Sequence, residues 1–343
     1  MGAAWTAGSW AAGAWADGSW IEAGAYPLAC ASGSLTLYGT AVGLKADRKL
    51  ATASGGLSLA GSGVTLKVTR KMATASGSLA LSGTAIGIKA ARELATASGS
   101  LTLAGTAVTL TKTGMVSLAC ESGALALAGT AVALKATRML AVASGSLALS
   151  GTGAALERGY PVAAGAGALS LSGSSVNLKV TRKLATASGS IALLGTAVAL
   201  SRTRKLTAAS GALTLNGTAV GLTKVGSYEL ACASGALALA GSAVGLRAAR
   251  KLATATGALA LAGTAVVLRP ARKLATASGA ITLNGTAVTF RTGHANTIEL
   301  DSGSFTLTGT AVTFKWIAPR YRIGRGKKIA TIAYGEKVKS IAA

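Results

Sequence analysis

Histidine and acidic residues are scarce in this 343-residue chain, and the shortage removes most catalytic chemistry. The single histidine, His294, lies in an irregular joint and reads as a solvated loop residue, neither ligand nor base. The chain has only ten acids, and no carboxylate pair recurs at one site, so paired general acid–base work has no material. No metal-ligand spacing or nucleophile elbow is present. The Gly-Thr and Ser-Gly pairs are bends and not phosphate loops, because no helix-opening Gly-Lys-Ser/Thr follows them. The chain is therefore read as non-enzymatic, with no cofactor and no metal. Long apolar runs are missing too, so no membrane-spanning helix is expected. The opening Met1-Gly2-Ala3-Ala4-Trp5 lacks a basic stretch, so no secretory signal is expected. Aromatics make up 4% of the chain; its 50% hydrophobic content comes largely from alanine.

What is abundant is repetition. A unit of the form Ser-Gly-x-Leu-x-Leu-x-Gly-Thr-Ala-Val-x-Leu-Lys recurs with its first glycine at Gly33, Gly55, Gly77, Gly99, Gly123, Gly145, Gly167, Gly189, Gly211, Gly235, Gly257, Gly279 and Gly303. The step is 22 residues, lengthening to 24 at three joints. A fixed period in this range marks a repeat architecture whose units bury their apolar faces by stacking on one another.

Within a unit, Leu35-Thr36-Leu37 alternates with period two and predicts a short strand with one buried face. The second glycine (Gly39) is expected to break it. Val42 and Leu44 mark a second strand, a basic bend follows, and Leu50 to Ala53 forms a third. The slot three residues before each first glycine holds Thr52, Cys120, Val142, Ala164, Cys232 or Leu300, a set suited to a buried site of modest size. The next slot admits Glu121 and Asp301 and must reach solvent.

Three strands and three bends per unit predict an all-β fold: a three-sided β-solenoid of about 13 coils of 22 residues, roughly 60 Å long at the inter-strand spacing. The alternative is an intertwined trimeric β-fibre such as a triple β-spiral or β-prism. The small Ala, Ser, Thr and Gly residues between the leucines would let another backbone approach, and a homo-oligomer, with a trimer as one form, is expected on that ground.

Cys30, Cys120 and Cys232 share the buried slot. Coils holding Cys30 and Cys120 would be roughly 19 Å apart, well beyond the Cα separation of about 7 Å that a disulfide spans. The cysteines read as small buried hydrophobes, with clustering about a trimer axis as the alternative. An odd count suits a reducing cytoplasm.

Net charge is +24. Lys45/Arg48/Lys49, Lys67/Arg70/Lys71, Lys179/Arg182/Lys183, Arg247/Arg250/Lys251 and Arg269/Arg272/Lys273 all fall at the bend before the third strand. Stacking would align them as a basic ridge. One reading is a solvated edge that keeps an alanine-rich protein soluble. The other is a docking rail for an acidic surface: a capsid or tail-shell protein, an anionic cell-surface polysaccharide, or nucleic acid. Sequence-specific nucleic-acid reading is not expected, since no recognition helix is evident.

The ends differ from the repeats. Residues 1–27 carry Trp5, Trp10, Trp15 and Trp20 at a five-residue period and read as an anchor in a partner or as a cap. Residues 28–315 hold the thirteen repeats. Residues 316–343 form a basic tail with Arg320, Arg322, Arg325, Lys327 and Lys328, which either caps the last coil or docks on an acidic neighbour.

The run Gly-Ser-Phe-Thr-Leu-Thr-Gly-Thr-Ala-Val-Thr-Phe at residues 303–314, with its relatives in every unit, resembles the Gly/Ser/Thr/Leu-rich β-repeats of tailed-bacteriophage structural proteins. The Trp-x-x-Gly-Ser leader is similar to segments of such proteins. The resemblance implies a fibre, spike, collar or decoration element of a virion, assembled in the host cytoplasm and attached to other virion proteins through either terminal segment. It brings no catalytic residue with it. A bacterial surface adhesin and a polyanion-binding repeat protein are the other readings.

Overall fold

The computed structural model describes residues 20–341 apart from 24–27, 31, 33, 47–48, 69, 91–92, 113–116, 137–138, 159–161, 181–182, 202–204, 224–228, 249–250, 271–272, 292–296, 301, 316–329 and 335–336. Every regular element among the described residues is a β-strand. The chain divides into two compact units: unit 1 is Met1–Tyr160 with Gly167–Ser175, and unit 2 is Pro161–Ala166 with Val176–Ala343.

A complete coil in unit 1 shows the plan. Its first strand is Gly56–Ala60, its second Gly63–Val68 and its third Lys71–Thr74. Each strand pairs in parallel with the same strand of the coils before and after it. Leu57, Leu59, Val64, Leu66, Val68, Met72 and Thr74 point inward and are buried, and the residues that alternate with them within each strand face out. This is the pleat at work: a period-two sequence sends one set of side chains into the coil and the other to solvent. The parallel pairing follows from winding, because every strand meets its counterpart one coil later, running the same way.

In unit 2 the same plan appears in Ala258–Ala262, Ala265–Pro270 and Lys273–Thr276, again paired in parallel within the unit. Leu259, Leu261, Val266, Leu268 and Thr276 are buried. Near its C-terminal end Phe290 and Phe305 replace smaller residues and pack edge to face, with ring centroids 5.1 Å apart.

The protein is thus an all-β solenoid of stacked parallel coils. Its leucines reach full burial within one chain, so the core is closed without strands from a second or third copy, unlike that of an intertwined trimeric fibre. Burying one such leucine contributes about 1.5–3 kcal/mol, and the repetition multiplies that term coil by coil.

Two columns of glycine set the corners. The first glycine of the unit is buried at its bend from Gly55 through Gly279. A Cβ on Gly99 would lie 2.2 Å from the Gly77 carbonyl oxygen one coil away. The second glycine packs as closely: a Cβ on Gly105 would lie 2.0 Å from the Gly83 carbonyl oxygen. No side chain fits either column. The serine beside the first glycine adds a rung of its own. Ser76 Oγ donates to the Ala53 carbonyl at 3.0 Å, Ser98 Oγ to Ala75 at 3.1 Å and Ser210 Oγ to Ala187 at 3.1 Å.

One feature differs from the sequence reading, and further strands stack beyond the repeats at both ends. The second glycine does not always break the strand: Ser78–Ala90 and Ser100–Lys112 run through Gly83 and Gly105 as single 13-residue strands. There the two glycines are themselves register partners, and the ladder continues across the bend. Trp20–Ala23, within the leader, is a strand paired in parallel with Ala41–Ala46. At the other end Ala330–Tyr334 stacks in parallel on Ser304–Gly309, and Lys337–Ile341 folds back against it antiparallel.

The 24-residue steps are absorbed at one place. Between Lys112 and Ser117, between Thr223 and Glu229, and between Arg291 and Thr297 the two extra residues fall after a second strand that keeps the 22-residue register. The third strand that follows is back in line with its neighbours. Extra length therefore always enters at the bend between second and third strands.

Candidate functional site

That same bend carries the basic residues. Near the end of the second strand a buried residue is followed by an outward side chain: Leu66 is buried and Lys67 exposed, and Leu246 is buried and Arg247 exposed. The third strand opens on an outward residue, as at Lys49 and Lys183, followed by an inward leucine. Two outward columns thus flank the bend.

In unit 1 the end of the second strand aligns Glu22, Lys45, Lys67 and Lys89 in successive coils. The start of the third strand aligns Lys49, Lys71 and Glu93. Acids temper the charge here: Lys71 Nζ lies 3.1 Å from Glu93 Oε1, and Lys135 Nζ lies 4.0 Å from Glu157 Oε2. Lys45, Lys67, Lys179 and Lys205 have polar partners as well. Arg70 is exposed beside this column.

In unit 2, Lys183 aligns with Lys205 and Lys251 with Lys273 at the third strand. At the second strand, Thr223, Arg247 and Arg269 are partners, and Arg291 follows one position beyond the Leu268–Phe290 pair. Arg291 then aligns with Lys315. Lys179 is exposed at the end of its strand. Two unit charges one strand step apart repel by about 1 kcal/mol in water before salt screens them.

The structure therefore brings Lys45, Lys49, Lys67, Arg70, Lys71, Lys179, Lys183, Arg247 and Lys251 to the same bend of their own coils. Arg48, Arg182 and Arg250 lie outside the described residues, as do Trp5, Trp10 and Trp15 and the tail residues Arg320, Arg322, Arg325, Lys327 and Lys328. Trp20 opens the strand that pairs with Ala41–Ala46.

Among the described residues the other surfaces are mostly uncharged, with Glu121 an exposed exception at the first bend. The outward residues of the first strands are mainly Ala, Ser and Thr. In unit 2 an open groove of about 560 Å³ runs along the Gly-Thr corner, lined by Thr264, Asn284, Thr286, Thr308 and Thr310 with their glycines. It offers hydroxyl and amide groups but no titratable side chain. Among the described residues no group of three or more His, Cys, Asp or Glu side chains comes together. Among the same residues no helix is long and apolar enough to cross a membrane.

Cys120 and Cys232 are buried free thiols in the inward column of the third strand. Cys120 aligns with Thr96, and Cys232 with Thr254. Burial pushes the Cys120 thiol pKa up, with the neighbouring Thr96 hydroxyl opposing it. Burial raises that of Cys232 to about 11, with the Leu237 backbone opposing. Neither thiol is activated for nucleophilic work. Comparison with protein-family models, curated proteins and solved structures returned no match.

Proposed function

We propose that the protein is a non-enzymatic structural component of a bacteriophage virion, of the fibre, spike, collar or decoration kind. The observation that carries this reading is the unvarying register: coil after coil repeats the same parallel partners, the same buried leucines and the same two glycine columns. A chain that spends its sequence on identical rungs builds length and stiffness. The resemblance of its repeats to those of phage structural proteins supplies the setting. The leader or the basic tail would attach it to other virion proteins.

The test is direct. Particles purified from cells carrying the gene in its own genome are probed with an antibody against the repeats. Label co-sedimenting with intact particles is the expected result, and loss of that label on deleting residues 1–27 would assign attachment to the leader. Protein found only in the particle-free fraction would refute the reading.

A further inference from the structure

Along the basic bend, one stretch differs in kind from the rest. The outward slot at the end of the second strand holds lysine at positions 45, 67, 89, 135 and 179, but arginine in three successive coils of unit 2: Arg247, Arg269 and Arg291. Arg247 and Arg269 are register partners, and Arg291 continues the column. Lysine presents a mobile point charge, whereas a guanidinium presents a planar fork that holds an oxyanion through two parallel hydrogen bonds.

The arms of two of these arginines are also packed down. The Nε atoms of Arg269 and Arg291 are buried without a hydrogen-bond partner, although the residues as a whole are partly exposed. Like charges are thus held one strand step apart and partly desolvated, an arrangement that an anion would relieve. Lys251 and Lys273 are register partners at the start of the third strands that follow.

We propose that the Arg247–Arg269–Arg291 column is a binding rail for an extended acidic polysaccharide, whose carboxylate or sulfate groups lie along the coil axis. The three arginines occupy successive positions of one parallel ladder, and its step is the inter-strand spacing of roughly 4.8 Å, a repeat comparable with one sugar of an extended chain. A nucleic-acid duplex winds its phosphates away from a straight row. Binding of single strands characteristically adds aromatic platforms for the bases. In unit 2, Phe290 and Phe305 are both buried in the core and offer no such platform. The inference stands on this geometry and is independent of attachment to a virion.

The experiment uses the full chain with polygalacturonate, dextran sulfate, neutral dextran and a single-stranded oligothymidylate as probes, at several salt concentrations. The triple variant Arg247→Gln/Arg269→Gln/Arg291→Gln is compared with Lys49→Gln/Lys67→Gln/Lys71→Gln, which removes the same charge from unit 1. We expect the arginine triple to weaken binding of the acidic polysaccharides roughly 10- to 30-fold and to flatten the salt dependence. The lysine triple is expected to weaken binding less than 3-fold, roughly what screened, non-specific charge contributes. Polygalacturonate against dextran sulfate separates carboxylate from sulfate.

Equal losses in the two triples, tighter binding of oligothymidylate, or equal retention of neutral dextran would overturn the proposal. Arginine modification by phenylglyoxal in the unaltered chain, mapped by mass spectrometry, gives a second readout that no folding defect can blur. Saturating polysaccharide should protect Arg247, Arg269 and Arg291 at least 5-fold, by roughly the occupancy that saturation implies. Unchanged reactivity at all three would equally sink the idea.

Discussion

At Gly105 an added methyl group would lie 2.0 Å from the Gly83 carbonyl oxygen, whereas at Gly221 it would meet nothing within 4 Å. The two glycines therefore answer oppositely to the same change. Gly105→Ala should cost about 2 kcal/mol or more through backbone overpacking. Gly221→Ala, on the outward face, should be neutral or gain about 0.5 kcal/mol by restricting the unfolded chain. Urea unfolding of the two variants checks both, and equal destabilisation would refute the close-packed column.

The inward threonines give a second contrast. Thr74 buries a hydroxyl with no hydrogen-bond partner, while Val142 fills the same slot with a methyl group. Thr74→Val is expected to raise stability by about 1 kcal/mol, read as a higher melting temperature. For Cys232 the consequence is a pH dependence. The unfolded thiol loses its proton above its ordinary pKa of 9.0, while the buried one holds it to about 11. Stability from this group is complete below pH 9 and falls by roughly 3 kcal/mol as pH climbs to 11. Cys232→Ala should lose that part of the alkaline decline, so parallel pH profiles for the two proteins would contradict it.

Strands were legible where a short motif fixes both faces. Leu-x-Leu marked the first strand, Val-x-Leu the second and Lys-Leu-Ala-Thr the third, because alternation is a local property. The tolerance of the third-strand slot for Thr, Cys, Val or Ala placed it inside, where Thr74, Cys120, Val142 and Ala164 are found. What escaped notice depends on neighbours and not on local pattern. Trp20–Ala23 has one alternation at most, and it is a strand because Ala41–Ala46 offers it an edge. The run-on strands at Gly83 and Gly105 depend on the partner coil supplying hydrogen bonds across the bend. The packed Nε atoms of Arg269 and Arg291 belong to this class too. No composition announces whether a charged arm lies down or stands in water.

The closing hairpin permits a test at the same scale. Ala330–Tyr334 takes the exposed edge of Ser304–Gly309, and Lys337–Ile341 turns the last edge antiparallel. An open parallel edge of this kind is a template for further pairing. Ending the chain after Lys315 should produce concentration-dependent association in light scattering. A strictly monomeric truncation would show that the hairpin is not what protects the edge.

For the molecule as a whole, the governing quantity is a net charge of +24, most of whose cations outside the tail fall at one kind of bend. Repulsion along those columns opposes folding, and salt screens it. The melting temperature should therefore rise between low and moderate sodium chloride, and a flat or falling trend in calorimetry would contradict aligned cations. The same bends are where the three 24-residue steps place their extra residues, with the strands on either side undisturbed. Nature has already spliced surplus chain there three times without moving a rung. A foreign peptide grafted between Lys112 and Ser117 would accordingly be displayed on the surface as a passenger, leaving its host's winding unchanged.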